Sequence, residues 1–214
     1  MRTWAFGPLL GLCLAAGGDV HAADLPAAAR RMLAMTPDDF ERSASVKDDA
    51  LELVATITTE PGFQERHGLL RLVFSDNFLR AFVNKTSGAT TYQLYQRIVY
   101  YGRLYKYFRV VNYETLGGPK SVEVLDLGRT AECSRSQLFG GCLRTETVAV
   151  PIDESLLKTI ATRYVPGAVA GWHFRFKAQS GEDYDGVMAA AEVAGLLAKV
   201  ADYRREHGLA GGVG

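Results

Sequence analysis

The stretch TYQLYQRIVYYGRLYKYFRVVNYE, residues 91–114, decides how the rest of the chain is read. Two extended runs flank Gly102-Arg103. Glycine in the first central position suits a two-residue type II′ hairpin turn. With that turn one face carries Tyr100/Tyr105, Ile98/Tyr107, Gln96/Arg109, Leu94/Val111 and Tyr92/Tyr113. The other carries Tyr101/Leu104, Val99/Lys106, Arg97/Phe108, Tyr95/Val110 and Gln93/Asn112. Both faces mix apolar and aromatic residues, so both are expected to be covered, by packing or by a cavity. A longer turn would shift the register by one residue and exchange the faces.

Working outward, residues 122–132 and 143–150 read as a second strand pair with Cys133 and Cys142 at the ends of its loop. Residues 152–164 switch to helical spacing, with Asp153 as N-cap. In residues 172–177, Trp172, Phe174 and Phe176 alternate with His173, Arg175 and Lys177, which is a strand with one apolar face. Residues 187–205 carry Val193, Leu196, Leu197 and Val200 at helical spacing and end on Arg204-Arg205, where the helix dipole favours cations.

Towards the N-terminus, residues 45–60 read as extended, with Leu51, Leu53, Ala55 and Ile57 on one face. Residues 69–74 and 78–84 read as two more extended pieces, the second also compatible with a helical turn. Residues 23–36 favour a short helix, broken at Thr36-Pro37-Asp38-Asp39. The sum is α+β: a largely antiparallel curved sheet of about six to eight strands, with helices on one face and a long helix near the C-terminus.

Residues 1–22 have the order of a secretory leader: Arg2, an apolar run around Leu9–Ala16, then Val20-His21-Ala22 as small residues for cleavage. Residues 23–208 are then one α+β domain and 209–214 a flexible tail. Export, into a bacterial periplasm, fits the cysteines, since Cys13 leaves with the leader and Cys133 and Cys142 remain as a pair. Their bridge closes a loop of about ten residues and contributes roughly 2–3 kcal/mol in the chain-entropy model.

Lys plus Arg number 24 and Asp plus Glu 24, so net charge points to neither nucleic acid nor an anionic membrane. No later stretch is apolar for long enough to span a bilayer, so no integral membrane segment is expected in the mature chain. No motif is specific to a reaction. Gly-x-Ser-x-Gly is absent, and His67, His173 and His207 stand apart in sequence. Residues 181–192 resemble part of an EF-hand loop through Asp183, Asp185, Gly186 and Glu192, but Gly181 fills the first ligand position. Asp183 or Asp185 is expected instead to cap the last helix, so no metal and no cofactor is assigned. Glu114, Glu123, Glu132 and Glu146 offer a carboxylate pair, or surface partners for Arg129 and Arg144.

The tyrosines are the best functional signal, because they combine flat apolar area with a polar tip. Tyr92, Tyr100, Tyr105, Tyr107, Arg109 and Tyr113 form the candidate ligand-binding set. The expected function is non-enzymatic binding of a small molecule or envelope protein through this face or a sheet–helix pocket. The rivals are an envelope hydrolase acting on a glycan with paired carboxylates, and a structural partner in an envelope assembly.

Overall fold

A computed structural model of the chain describes residues 31–32, 34–64, 66–67, 72–73, 75–133, 141–167 and 171–209. The expected leader, residues 1–30 as a whole, and residues 210–214 of the expected tail lie outside them.

The strands in chain order are β1 (Ser45–Lys47), β2 (Val54–Thr58), β3 (Arg66–His67), β4 (Leu72–Val73), β5 (Asp76–Asn84) and β6 (Thr90–Gly102). They continue with β7 (Phe108–Thr115), β8 (Gly118–Glu123), β9 (Leu125–Glu132), β10 (Cys142–Ile152), β11 (Gly171–Ala178) and β12 (Tyr184–Ala189). The helices are α1 (Pro37–Ser43), α2 (Glu154–Ala161) and α3 (Ala190–Glu206). The architecture is α+β with antiparallel pairing, in two main sheets where the sequence suggests one. One sheet runs β1-β2-β5-β6-β10-β9, the other β12-β11-β7-β8, and β3-β4 form a small ribbon.

The largest correction falls on residues 91–114. Strands β6 and β7 do not pair with each other. Strand β6 lies between β5 and β10, with Leu94 opposite both Leu79 and Val150. Strand β7 lies between β11 and β8. Gly102 does not open a tight turn but stays in register with Cys142. Residues 103–107 then carry the chain across to the second sheet, with Tyr107 at φ 56° in the left-handed region. Alternation fixes which side chains share a face, but not which strand lies alongside. Tyr92, Leu94, Val111 and Tyr113 do meet in one core, from opposite sheets.

That core is closed by β11 and by α3. Trp172, Phe174 and Phe176 are buried as their alternation requires, and Tyr113 packs edge-on to Trp172 at 5.5 Å. Truncating Trp172 to alanine would cost about 3–5 kcal/mol, the usual range for a large buried aromatic. Helix α3 contributes Val193, Leu196, Val200 and Tyr203 to the same core and contacts α1, α2, β2, β5 and β12. Gly195 permits the close approach of α1, since a Cβ there would lie 2.6 Å from the Pro37 carbonyl oxygen.

Other expectations need correcting. Thr36-Pro37-Asp38-Asp39 does not break structure; it starts α1, through a capping box between Thr36 and Asp39. Residues 48–53 loop out between β1 and β2, so Leu51 is 93% exposed while Ala55 and Ile57 are buried. Helix α3 begins at Ala190, because residues 184–189 are strand β12, whose Gly186 leaves space for the Phe174 ring. Helix α2 spans Glu154–Ala161, shorter than the pattern over 152–164. Residues 78–84 are strand throughout. Strand β9 buries neither of its faces, although Leu125 and Leu127 alternate with polar residues, because it is a sheet edge with a register shift opposite Thr147/Val148. Cys133 and Cys142 form the expected disulfide, tying the end of β9 to the start of β10.

Candidate functional site

The six candidate residues divide between the two ends of β6. Tyr100, Tyr105, Tyr107 and Arg109 gather where β6 hands over to β7, and Tyr92 and Tyr113 lie at the other end. Eight residues of strand separate Tyr92 from Tyr100, about 26 Å at the usual rise.

Glu146 organises the first end. It projects from β10 into the space between the sheets and is 1% exposed. Its Oε1 accepts from the Tyr100 hydroxyl at 2.5 Å and from the backbone N–H groups of Lys106 and Tyr107 at 2.9 and 3.2 Å. Its Oε2 accepts from Arg129 Nε at 3.0 Å, and Arg129 also pairs with Asp126. The cross-strand partnership with Arg129 follows the sequence reading, but Glu146 is buried and only Arg129, 20% exposed, reaches the surface. Burial and the bond to Glu146 raise the Tyr100 hydroxyl above its ordinary range. Burial opposes the Arg129 charge, but bonds to Glu146 and Asp126 outweigh it and hold the guanidinium above its usual value.

Arg144 braces the same loop by donating to the Gly102 carbonyl at 3.0 Å and to that of Arg103. Its guanidinium lies 4.4 Å from the Tyr105 ring centre, and those of Arg129 and Arg109 lie 4.7 and 5.8 Å from that of Tyr107. The product is a fixed loop faced with tyrosine and arginine.

The second end is open. A groove of about 800 Å³ runs between the β5–β6 hairpin, the end of β10 and the start of α2. Val54, Phe82 and Ile152 give it apolar wall; Asn84, Thr91 and Glu154 give it polar groups. Tyr92 lines it from the core side, 3% exposed, and its hydroxyl has no hydrogen-bond partner among the described residues. Burial pushes that hydroxyl up to about 12, with the Glu154 carboxylate adding to the shift and Arg204 opposing it.

A smaller groove of about 380 Å³ adjoins it, lined by Tyr113, Lys120 and Leu156 among others, and shares Asp153 and Ser155 with the first. Asp153 stands at the N-cap position of α2 as expected, but its side chain makes no capping bond and faces Lys120 at 3.5 Å. Tyr113 first, then Asp153, holds the Lys120 ammonium above its ordinary range. The start of α2 thus stands between two clefts with its side-chain cap unmade.

The remaining candidates do not converge. Glu114 faces Arg163 at 3.6 Å, and Glu123 and Glu132 are exposed on separate strands. His173 is an exposed residue of β11, and His207 stacks on Tyr203 beyond α3; the His67 side chain lies outside the described residues. Asp183 and Asp185 do not cap α3. Asp183 binds Lys177 and the Ala178 N–H, and Asp185 binds Arg175 across β11–β12 at 2.5 Å. Glu192 points elsewhere, into the core, so the calcium-loop resemblance assembles no ligand set. Among the described residues no group of three or more His, Cys, Asp or Glu is placed to hold a metal ion.

Two buried carboxylates were not legible as such. Glu192, 3% exposed, accepts from Thr59 Oγ1 at 2.5 Å with no cation beside it, and burial pushes it up to about 8. Burial likewise pushes Asp76 up to about 7, against the pull of Arg97. In sequence Glu192 stands as the last position of the calcium-loop fragment; only the fold puts it under a sheet.

No protein-family model, curated protein sequence or solved structure matches the chain. Among the described residues no helix is long and apolar enough to cross a membrane.

Proposed function

We propose that the chain is an exported, non-enzymatic binding protein that holds a small polar ligand in the groove at the start of α2. One observation carries this reading: Tyr92, whose buried hydroxyl has no partner among the described residues, forms part of the wall of an 800 Å³ cleft. Buried hydroxyls are nearly always bonded, and an orphan beside a cavity calls for a partner from outside the chain. The groove has the composition of a small-molecule site, an apolar wall with a few fixed polar groups. The Cys133–Cys142 bridge supports an oxidising compartment, for which a bacterial periplasm is the proposal. The spent hydrogen-bonding capacity of Glu146 and the separation of Glu114, Glu123 and Glu132 favour binding over acid–base hydrolysis.

The test is native mass spectrometry of the disulfide-bonded protein purified from its own source. The expected result is a small-molecule adduct that Tyr92→Phe weakens. A bare protein mass, or a bound protein in place of a small molecule, would count against the groove.

A further inference from the structure

The groove at the start of α2 has its acceptors spent and its donors left over. Asn84 Oδ1 accepts from the N–H groups of Thr86 and Ser87 at 3.0 and 2.9 Å. That assigns the other end of the amide as the donor Nδ2, which has no acceptor among the described residues. Both carboxylates at the groove are answered by cations: Asp153 faces Lys120 at 3.5 Å, and Glu154 faces Lys158 at 3.0 Å. The N–H groups of the first turn of α2 have no such partner. Asp153 makes no capping bond, and Leu157 is the first residue to donate, to the Asp153 carbonyl at 3.1 Å. Buried Tyr92, part of the groove wall, adds a hydroxyl with no partner among the described residues.

The charge balance has the same sign. With both carboxylates paired, what remains is the positive end of α2 and the guanidinium of Arg204. Arg204 is half-buried and donates to the Gly88 carbonyl at 2.9 Å and to Oγ1 of Thr90, a groove residue, at 2.5 Å. Both are neutral oxygens, and among the described residues no carboxylate lies within ion-pair distance of it. The charges of Arg204 and Glu154 both act on the Tyr92 hydroxyl. Unspent N–H donors at a helix start, in a positive field, suit an anion. Val54, Phe82 and Ile152 make the rest of the wall apolar, which suits an uncharged body behind a single charged head.

We propose, resting on the reading of the groove as a ligand site, that its ligand is an organic acid. The carboxylate meets the N–H groups at the start of α2 and the Asn84 amide, and the apolar body lies along Val54, Phe82 and Ile152. Arg204 acts through its charge and not by contact, since its Nε and Nη2 are already engaged.

Titration of the isotope-labelled, disulfide-bonded protein with octanoate, followed by amide NMR shifts, tests this. Octanol and octyltrimethylammonium serve as neutral and cationic probes of the same chain length. Octanoate is expected to move the amides of Glu154, Ser155 and Leu156, and to bind about tenfold or more tighter than octanol, the worth of one charge-assisted contact. Asn84→Asp replaces the unspent donor by a charged acceptor and keeps the oxygen that holds the Thr86 and Ser87 N–H groups. The variant should lose about tenfold or more in octanoate affinity, while octanol binding and the melting temperature stay as in the wild type. No response to octanoate, equal or tighter binding of octanol or of the ammonium, or an affinity indifferent to Asn84→Asp would overturn the proposal. The groove is judged separately: an adduct retained from the source that is not an acid, and that Tyr92→Phe weakens, would keep the groove as a site and reject this class of ligand.

Discussion

The two ends of β6 are built from the same residue types and arrive at opposite states. At one end the Tyr100 hydroxyl meets a carboxylate that also takes two backbone N–H groups and a guanidinium. At the other the Tyr92 hydroxyl finds no hydrogen-bond partner among the described residues, and Asp153 leaves the start of α2 without a side-chain cap. A tyrosine in a strand is therefore not a site in itself. What distinguishes the ends is whether the fold supplies the hydrogen-bond partner or leaves it to be brought in.

The largest break in this comparison is Glu146→Ala. It removes the acceptor for four donors and leaves half-buried Arg129 with Asp126 alone, so a loss of about 3 kcal/mol is expected in chemical denaturation. Amide exchange at Lys106 and Tyr107 should quicken while the groove end is unchanged. Uniform acceleration across both ends would show that Glu146 holds the whole fold and not its loop.

A third carboxylate sharpens the contrast. Glu146 is buried beside a guanidinium and N–H donors, whereas Glu192 is buried with a hydroxyl and, among the described residues, no cation. The folded state therefore keeps a proton on Glu192 up to about pH 8, and on Asp76 up to about pH 7, where an unfolded chain has released both. A raised folded-state value adds stability that is complete below the unfolded value, near pH 4, and is lost as pH rises through 7 to 8. Glu192→Gln should flatten that part of the stability–pH curve, read from denaturant midpoints between pH 4 and 9. An unchanged slope would mean that Glu192 is ionised in the fold.

Smaller effects are expected at the open end. Tyr92→Phe removes a hydroxyl that bonds to nothing among the described residues. Without ligand the variant should match or exceed the wild type, by about 1 kcal/mol at most, in thermal melts. A clear destabilisation would reveal an internal partner for the hydroxyl. Arg109→Gln should move stability by less than about 0.5 kcal/mol, as for a surface change away from the core.

Much of the local structure was legible before the fold. Trp172, Phe174 and Phe176 announced β11, and Tyr92, Leu94 and Ile98 announced one face of β6, because burial on one side imposes a period of two. The pairing of β6 with β5 and β10 was not legible, since alternation is silent about neighbours. Residues 187–189 looked helical because Val187, Met188 and Ala189 continue the apolar run of α3, and only the fit of Gly186 to Phe174 argues for strand. The signal for α1 was present in Thr36 and Asp39 and is a spacing that can be read directly. At the candidate site the residue names were legible and their grouping was not. Tyr92 and Tyr113 parted from the other four because β6 and β7 cross between sheets. Glu146 could be matched to Arg129 by strand register, but its burial depends on the loop that folds over it.

The most direct test of the groove is a crystal structure of the protein purified from its own source. The account predicts non-water density in the cleft at the start of α2, with an atom about 3 Å from the Tyr92 hydroxyl oxygen. A Tyr92 hydroxyl bonded to protein, with only solvent in the cleft, would contradict it.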